Sequence, residues 1–328
     1  MEEFKGFLVQ EKNGKMLRSV ESLPAVFLPD NDLLIKVSYS ALNYKDALSA
    51  SGHRGITKKF PHIPGIDAVG EIVKAKGKWR VGQKVIVTSY DLGMNTSGGF
   101  GEYISVPQDW PVLLPEGMSE KEAMIYGTSG FTAALALFQM EKMGQSPEYG
   151  RVLVTGATGA VGTAAIALLR KAGYAPVAST GKSQATGDLV QLGAVEIISR
   201  EAVNDDSNKP FLSPKWGGAI DTVGGNTLAT ILKEAKANAN IAVCGLVSSA
   251  DFSTTVYPFI IKGNNLLGVE TATCPREVRE EIWKRLASTW AFELPNKMIR
   301  EVSLDGLNAE IEKMLEGKSY GKVILKHR

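Results

Sequence analysis

Cysteine and histidine are scarce: the 328 residues hold two cysteines, Cys244 and Cys274, and three histidines, His53, His62 and His327. No Cys-x-x-Cys pair and no His-x-x-x-His spacing occurs, so the usual ligand sets of structural or catalytic zinc lack members. Two cysteines make one bridge at most, and in a reducing interior both read as buried thiols. No apolar stretch is long enough to cross a bilayer, because Lys, Glu, Gly or Pro interrupts every candidate, and no membrane attachment is expected. The start, Met1-Glu2-Glu3-Phe4-Lys5-Gly6, has neither the basic opening nor the apolar run of a secretory leader, so a cytoplasmic location is expected. There is no block of like charge and the formal net charge is +2, so nothing points to nucleic acid.

What is present suits an ordinary globular chain of about two domains: 44% hydrophobic and 22% charged residues. Residues 4 to 120 read as short strands between Gly/Pro-rich turns, such as Leu33-Leu34-Ile35-Lys36-Val37 and Ala68-Val69-Gly70-Glu71-Ile72-Val73, which predicts a β-rich, barrel-like domain. Near residue 122 the pattern turns helical. From residue 151 apolar strands alternate with amphipathic helices, which predicts βαβ units and a doubly wound parallel sheet. A helix is expected near 226 to 237 and another at 275 to 290. The strand Lys322-Val323-Ile324-Leu325 is expected to rejoin the first domain. The boundaries are therefore residues 1–122 with 271–328 for one domain and 123–270 for the other.

The strongest chemical signal is Val152-Leu153-Val154-Thr155-Gly156-Ala157-Thr158-Gly159-Ala160-Val161-Gly162, a strand, a glycine-spaced turn and an Ala/Leu-rich helix in succession. Gly156 permits the tight turn, Gly159 lets a pyrophosphate approach the backbone, and Gly162 lets the helix pack closely. Amides at the helix start and its partial positive charge then favour a diphosphate. The spacing is G-x-x-G-x-x-G, and a tight βα connection alone would account for it. The strand before and the βαβ series after favour a dinucleotide site.

An NAD-specific fold carries Asp or Glu at the end of the second strand. Here Ala178-Ser179-Thr180-Gly181-Lys182 offers hydroxyls, amides and a cation instead, which suits the 2′-phosphate of NADPH, and Arg200 after the third strand is a second candidate cation. An ordinary surface loop is the alternative for both. Without a Lewis-acid metal the hydride acceptor must already be electron-poor, an activated alkene or a quinone.

Several further runs resemble one family. They are Leu42-Asn43-Tyr44-Lys45-Asp46-Ala47, Phe60-Pro61-His62-Ile63-Pro64-Gly65-Ile66-Asp67, Gly127-Thr128-Ser129-Gly130-Phe131-Thr132-Ala133, Trp216-Gly217-Gly218-Ala219-Ile220-Asp221-Thr222-Val223-Gly224, Cys244-Gly245-Leu246 and Thr255-Val256-Tyr257-Pro258-Phe259-Ile260. Together they resemble the zinc-free quinone oxidoreductase branch of the medium-chain dehydrogenase/reductase superfamily, in its acryloyl-CoA reductase subgroup. The resemblance implies a GroES-like substrate domain beside a Rossmann domain, NADPH-dependent reduction of acryloyl-CoA to propanoyl-CoA, and a homodimer. It places cofactor contacts on Tyr44, Thr158, Gly159, Ala160, Val161, Thr180, Gly181, Lys182, Arg200, Leu246, Ile260 and Thr271. Lys182 departs from the arginine often found there, keeping the charge but not the planar fork.

Hydride addition to an enoyl thioester puts negative charge on the thioester oxygen, which needs preorganised donors. Tyr44 is the first candidate, as cofactor contact or proton donor; a tyrosine holding a turn is the alternative. Thr128 and Ser129 open a helix and are candidate donors to the cofactor, though capping explains them too. Lys45 and Asp46 read as an exposed pair, and Asp67 as a turn cap. The basic run His53, Arg54, Lys58 and Lys59 is a candidate for CoA phosphates or a solvated loop, and Cys244 reads as packed. Asn265-Leu266-Leu267-Gly268-Val269 reads as a sheet edge through which two copies would pair. Two rivals share the cofactor: an NADPH:quinone oxidoreductase, and a non-catalytic NADPH-binding redox sensor or structural protein.

Overall fold

The computed structural model describes residues 2–327. The chain gathers into two compact units, Met1–Thr128 with Thr271–Glu280 and Asn296–Arg328, and Ser129–Glu270 with Glu281–Pro295.

The first unit opens as a hairpin, β1 (Glu3–Lys12) and β2 (Lys15–Pro24), turning at Asn13-Gly14 with φ of 52° and 71°. An Asn-Gly turn of that hand matches the twist of its flanking strands. Next come β3 (Leu33–Ala41), α1 (Tyr44–Ala50), β4 (Asp67–Lys74), β5 (Lys84–Thr88), β6 (Tyr103–Val106) and β7 (Val112–Leu113). Along β3 the residues Leu33, Ile35 and Val37 are buried with Ile72, Val85 and Ile104 while Lys36 is exposed, the period of two expected of a strand with one face in a core. The run α2 (Glu120–Lys142) leads into the second unit, and its helical geometry breaks at Gly127, φ 49° and ψ −158°.

The second unit alternates as its pattern predicts: β8 (Val152–Val154), α3 (Ala160–Lys171), β9 (Pro176–Thr180), α4 (Thr186–Leu192), β10 (Glu196–Ser199), β11 (Trp216–Asp221), α5 (Gly225–Glu234), β12 (Ala235–Val243), α6 (Tyr257–Ile260) and β13 (Asn265–Gly268). Its six strands form one parallel sheet in the order β10-β9-β8-β11-β12-β13. That is a doubly wound sheet, reversing direction at β8. Central strands such as Val152-Leu153-Val154 and Trp216 to Asp221 are buried throughout, as a sheet covered on both faces requires.

The chain continues through α7 (Arg276–Leu286), β14 (Ile299–Val302), α8 (Leu304–Leu315) and β15 (Lys322–Lys326). β15 pairs with β3 and β14, which gives the first unit a seven-stranded sheet ordered β14-β15-β3-β4-β5-β7, with β6 on β3. A second apolar cluster there joins Phe4, Phe7, Leu42, Phe100, Leu307 and Ile311.

Three details differ from the expected pattern. Residues 123–128, expected with the second domain, cluster with the first unit. The helix expected to reach 237 ends at Glu234, because Ala235 already opens β12. Residues 281–295, expected with the first domain, cluster with the second unit: Ile282, Trp283 and Leu286 are buried, and the Trp283 ring faces Phe131 of α2 at 6.0 Å. Among the described residues no helix is long and apolar enough to cross a membrane.

Candidate functional site

The turn between β8 and α3 separates its three glycines by their surroundings. Gly156 stands at φ 59°, and a Cβ there would lie 2.2 Å from the Thr222 hydroxyl. A Cβ on Gly162 would meet the Gly156 carbonyl oxygen at 2.4 Å, so it too is fixed by packing. Gly159 is different: it is exposed at φ −79°, and the nearest atom to a Cβ would be the Gly156 oxygen at 3.3 Å. The backbone at 159 does not require glycine, and a Cβ there would ask the Gly156 carbonyl to give by only a few tenths of an ångström, far less than at 156 or 162. The bareness of Gly159 leaves the start of α3 open, where the amides of Ala160 and Val161 have no side-chain cap. Behind the turn, Thr155 Oγ1 donates to Asp221 Oδ1 at 2.6 Å, and the Gly224 N–H donates to Asp221 Oδ2 at 2.8 Å.

Five expected residues come together beside this turn. The hydroxyls of Thr158 and Thr180 are 3.5 Å apart, and the Lys182 N–H donates to Thr180 Oγ1 at 3.1 Å. The Arg200 guanidinium lies against Gly181, where a Cβ would find its Nε at 3.1 Å. β9 closes on Thr180, so no carboxylate stands at its end. Partial burial lowers the Lys182 pKa, while Arg200 is exposed and paired with Glu201 at 3.1 Å. Two cations and two hydroxyls next to a turn that ends in uncapped amides suit phosphate groups.

Farther along the second unit, Leu246 and Ile260 are 65% and 71% exposed. Leu246 borders an apolar cleft of about 460 Å³ lined also by Val243, Cys244, Phe252 and Val269. Cys244 Sγ donates to the Asp221 carbonyl at 3.4 Å, and burial pushes its thiol up to about 12, which leaves it unreactive near neutrality.

In the first unit Tyr44 is the first residue of α1 and 56% exposed. Asp46, expected to be exposed, is fully buried. It sits three residues past the N-cap Asn43, and its Oδ2 accepts the Asn43 N–H at 2.8 Å. Its Oδ1 accepts the Gly65 and Ile66 N–H groups at 3.1 and 2.8 Å. Burial, with the Asp67 carboxylate adding repulsion, pushes the Asp46 carboxyl up to about 7 despite these donors.

Asp67, expected to cap a turn, instead opens β4 and is fully buried. Its carboxylate accepts the Asn43 side-chain amide at 2.9 Å, the Thr128 N–H at 2.9 Å and the Thr128 hydroxyl at 2.5 Å. Lys322, buried at the start of β15, faces the same spot: a Cβ on Gly127 would lie 2.6 Å from Asp67 Oδ2 and 2.9 Å from Lys322 Nζ. The missing side chain at Gly127 is what leaves room for those two groups. Burial lowers the Lys322 pKa against the attraction of Asp67 and Asp46.

Thr128 does open a helical run, after Gly127, with its hydroxyl and amide both engaged. Thr271 is half-buried; its hydroxyl accepts from Ser89 at 3.4 Å and its carbonyl accepts Arg279 at 2.6 Å. In the basic loop, Arg54 is taken up by Glu11 and by the Lys58 carbonyl.

Sequence reasoning gave Asp46 only a supporting role, as part of an exposed pair, and missed Lys322 and Ser89. The spacing Asn43-x-x-Asp46 was a capping signal for the first. Lys322 in an apolar strand and Ser89 in a turn gave none.

The chain is similar to known proteins along nearly its whole length. Residues 29–116 match the family described as the alcohol dehydrogenase GroES-like domain. YhfP of Bacillus subtilis, whose name as a quinone oxidoreductase is provisional, is 45% identical over 312 residues, 94% of each chain; its crystal structure with NAD bound superimposes with a TM-score of 0.96 over 99% of both chains. The acrylyl-CoA reductase AcuI of Ruegeria pomeroyi is 38% identical over 319 residues, 96% of each chain. The yhdH oxidoreductase of Salmonella enterica, crystallised in complex with NADP, is 37% identical with a TM-score of 0.95, covering 99% of this chain and 100% of that one.

A GroES-like β unit joined to a doubly wound unit with a glycine turn defines an oxidoreductase of the dehydrogenase type. The chain belongs to the medium-chain dehydrogenase/reductase family, in the branch that holds the YhfP, YhdH and AcuI proteins.

Proposed function

We propose that the chain uses NADPH to reduce the carbon-carbon double bond of an enoyl thioester, converting acryloyl-CoA to propanoyl-CoA without a metal. The observation that carries the cofactor reading is Gly159, an exposed glycine whose backbone any residue could adopt, placed before uncapped amides at the start of α3. In this reading Gly156, Thr158, Gly159, Ala160, Val161 and Gly162 form the diphosphate cradle. Thr180, Gly181, Lys182 and Arg200 take the 2′-phosphate, supported by the bare end of β9. Leu246 and Ile260 give apolar contacts to the cofactor.

The bound cofactor supplies the hydride. Tyr44, Thr128 and Thr271 serve the reacting end, with the exposed Tyr44 phenol donating to the oxygen that gains negative charge. The thioester substrate is supported by likeness to the Ruegeria AcuI protein along almost the whole chain. The scarcity of Cys and His supports a reaction without a metal. The setting is cytoplasmic and the working form a homodimer.

The test is NADPH oxidation by purified protein with acryloyl-CoA and with a small quinone, compared as kcat/KM. A clear preference for the thioester is expected. Preference for the quinone would hand the site to the second reading, which the name of YhfP favours.

A further inference from the structure

One turn of the first unit is held in a conformation that its residues disfavour. Ser89 and Tyr90, consecutive and neither a glycine, have φ of 66° and 50°. Such strain persists only where surroundings impose it, and it concentrates at working sites. The clamp is visible: the Tyr90 ring stacks on Trp110 at 5.3 Å, and the buried Arg279 guanidinium lies over the Tyr90 ring at 4.5 Å. Arg279 also donates to the Thr88 carbonyl at 3.1 Å and to the Thr271 carbonyl at 2.6 Å, tying the turn to Thr271.

The clamped turn sets the buried Ser89 hydroxyl between two others, 3.2 Å from Thr128 Oγ1 and 3.4 Å from Thr271 Oγ1. Thr128 spends its proton on Asp67, beside Lys322. The single proton of Ser89 therefore serves Thr128 or Thr271 in turn. Hydroxyls at these separations are long for hydrogen bonds, as catalytic contacts are before substrate draws them together.

We propose that Ser89 joins Thr128 and Thr271 into a file of hydroxyls that carries the proton needed at the substrate α-carbon, with Asp67 and Lys322 as its inner end. The proposal rests on the enoyl thioester reading. Hydride on the β-carbon leaves an enolate. Thr271 gives its hydroxyl proton to the α-carbon, Ser89 gives its proton to Thr271, and Thr128 gives its proton to Ser89. Thr128 turns its hydroxyl from Asp67 to do so; Asp67 takes a proton from the Lys322 ammonium and passes it to Thr128, and one proton from bulk solvent restores the ammonium between turnovers. The net reaction consumes one hydride and one proton per double bond. Ser89 is a positioning and relay residue, acting through Thr271.

Glycine is the informative substitution, because it favours the backbone conformation that Ser89 strains to adopt. Ser89→Gly is expected to keep or raise the thermal midpoint, hold the KM for NADPH within about twofold, and lower kcat for acryloyl-CoA about a hundredfold, the low end for a lost acid-base step. The solvent deuterium isotope effect on kcat rises and the effect of 4-deuterated NADPH shrinks, because protonation becomes rate-limiting. An unchanged kcat with unchanged isotope effects overturns the relay. So does a midpoint that falls together with kcat, which makes the side chain structural. A wild-type chain inactive on enoyl thioesters overturns the function reading and the relay with it, whereas an active wild type with an equally active Ser89→Gly overturns the relay alone.

Discussion

Gly156 and Thr222 stand so close that a methyl group on the glycine would lie 2.2 Å from the threonine hydroxyl, whereas one on Gly159 would meet nothing nearer than 3.3 Å. The two glycines should therefore fail in different ways. Gly156→Ala combines a clash with left-handed strain and should cost stability by about 2 kcal/mol or more. Gly159→Ala should keep stability within about 1 kcal/mol and weaken NADPH at least tenfold, about 1.4 kcal/mol. Urea unfolding and fluorescence titration separate the two effects. A Gly159→Ala protein that binds NADPH like the wild type removes the diphosphate from this turn.

Thr180, Lys182 and Arg200 converge where an NAD-specific fold would carry a carboxylate. Removing either cation should raise the KM for NADPH by roughly tenfold, the loss of one charge-assisted hydrogen bond, and leave the KM for NADH nearly unchanged. Lys182→Ala should act more strongly than Arg200→Ala, because Lys182 is partly desolvated and Arg200 is exposed beside Glu201. Equal changes for both coenzymes would show that the 2′-phosphate lies elsewhere.

The two parts of the molecule were unequally legible in the sequence. Val152-Leu153-Val154 and the glycines after it announced a buried parallel strand and its turn, since periodicity, length and glycine spacing agree there. Ala235 to Asn240 misled because Lys236, Asn238 and Asn240 interrupt the apolar pattern; β11 pairs with this stretch only at Ala235 and Asn240, and between them the Asn238 N–H donates to the Lys262 carbonyl. In the first unit Asn13-Gly14 was a hairpin signal in plain view. The buried charges were not legible. Asp46 beside Lys45 looks like a surface pair, and only the fold brings Asp67, Thr128 and Lys322 to one point around Gly127. Pairings between residues so distant in sequence leave no local pattern to read.

β13 is an outer strand of its sheet, carrying a partly exposed Leu266 and four residues that alternate in exposure. The same unit exposes Val247, Val256 and Ile261. An open edge strand, in a unit that also exposes apolar side chains, invites pairing with a second copy. Light scattering at micromolar concentration should give a dimer for the wild type and a monomer for Leu266→Lys, whose charge would oppose its symmetry mate. A wild-type monomer under those conditions ends the homodimer proposal.

Asp46 lies fully buried near Asp67, with its carboxyl pushed up to about 7 by burial first and by that neighbour second. A carboxyl whose folded value is raised is easier to protonate in the native state than in the unfolded chain. Its contribution to stability is therefore complete below about pH 4, its ordinary range, and is lost as pH rises through about 7. The loss should be on the order of a few kcal/mol, since each pKa unit carries about 1.4 kcal/mol. Asp46→Asn cannot ionise. It keeps an oxygen for the Gly65 and Ile66 amides, but its own amide would face the Asn43 N–H, so the variant should start less stable at low pH. The slope is the decisive quantity. Urea unfolding at about pH 5 and about pH 8 should show wild-type stability falling across the interval by more than that of Asp46→Asn. Parallel slopes would mean that Asp46 stays ionised over this range, and that the N–H groups around it outweigh burial and the nearby negative charge.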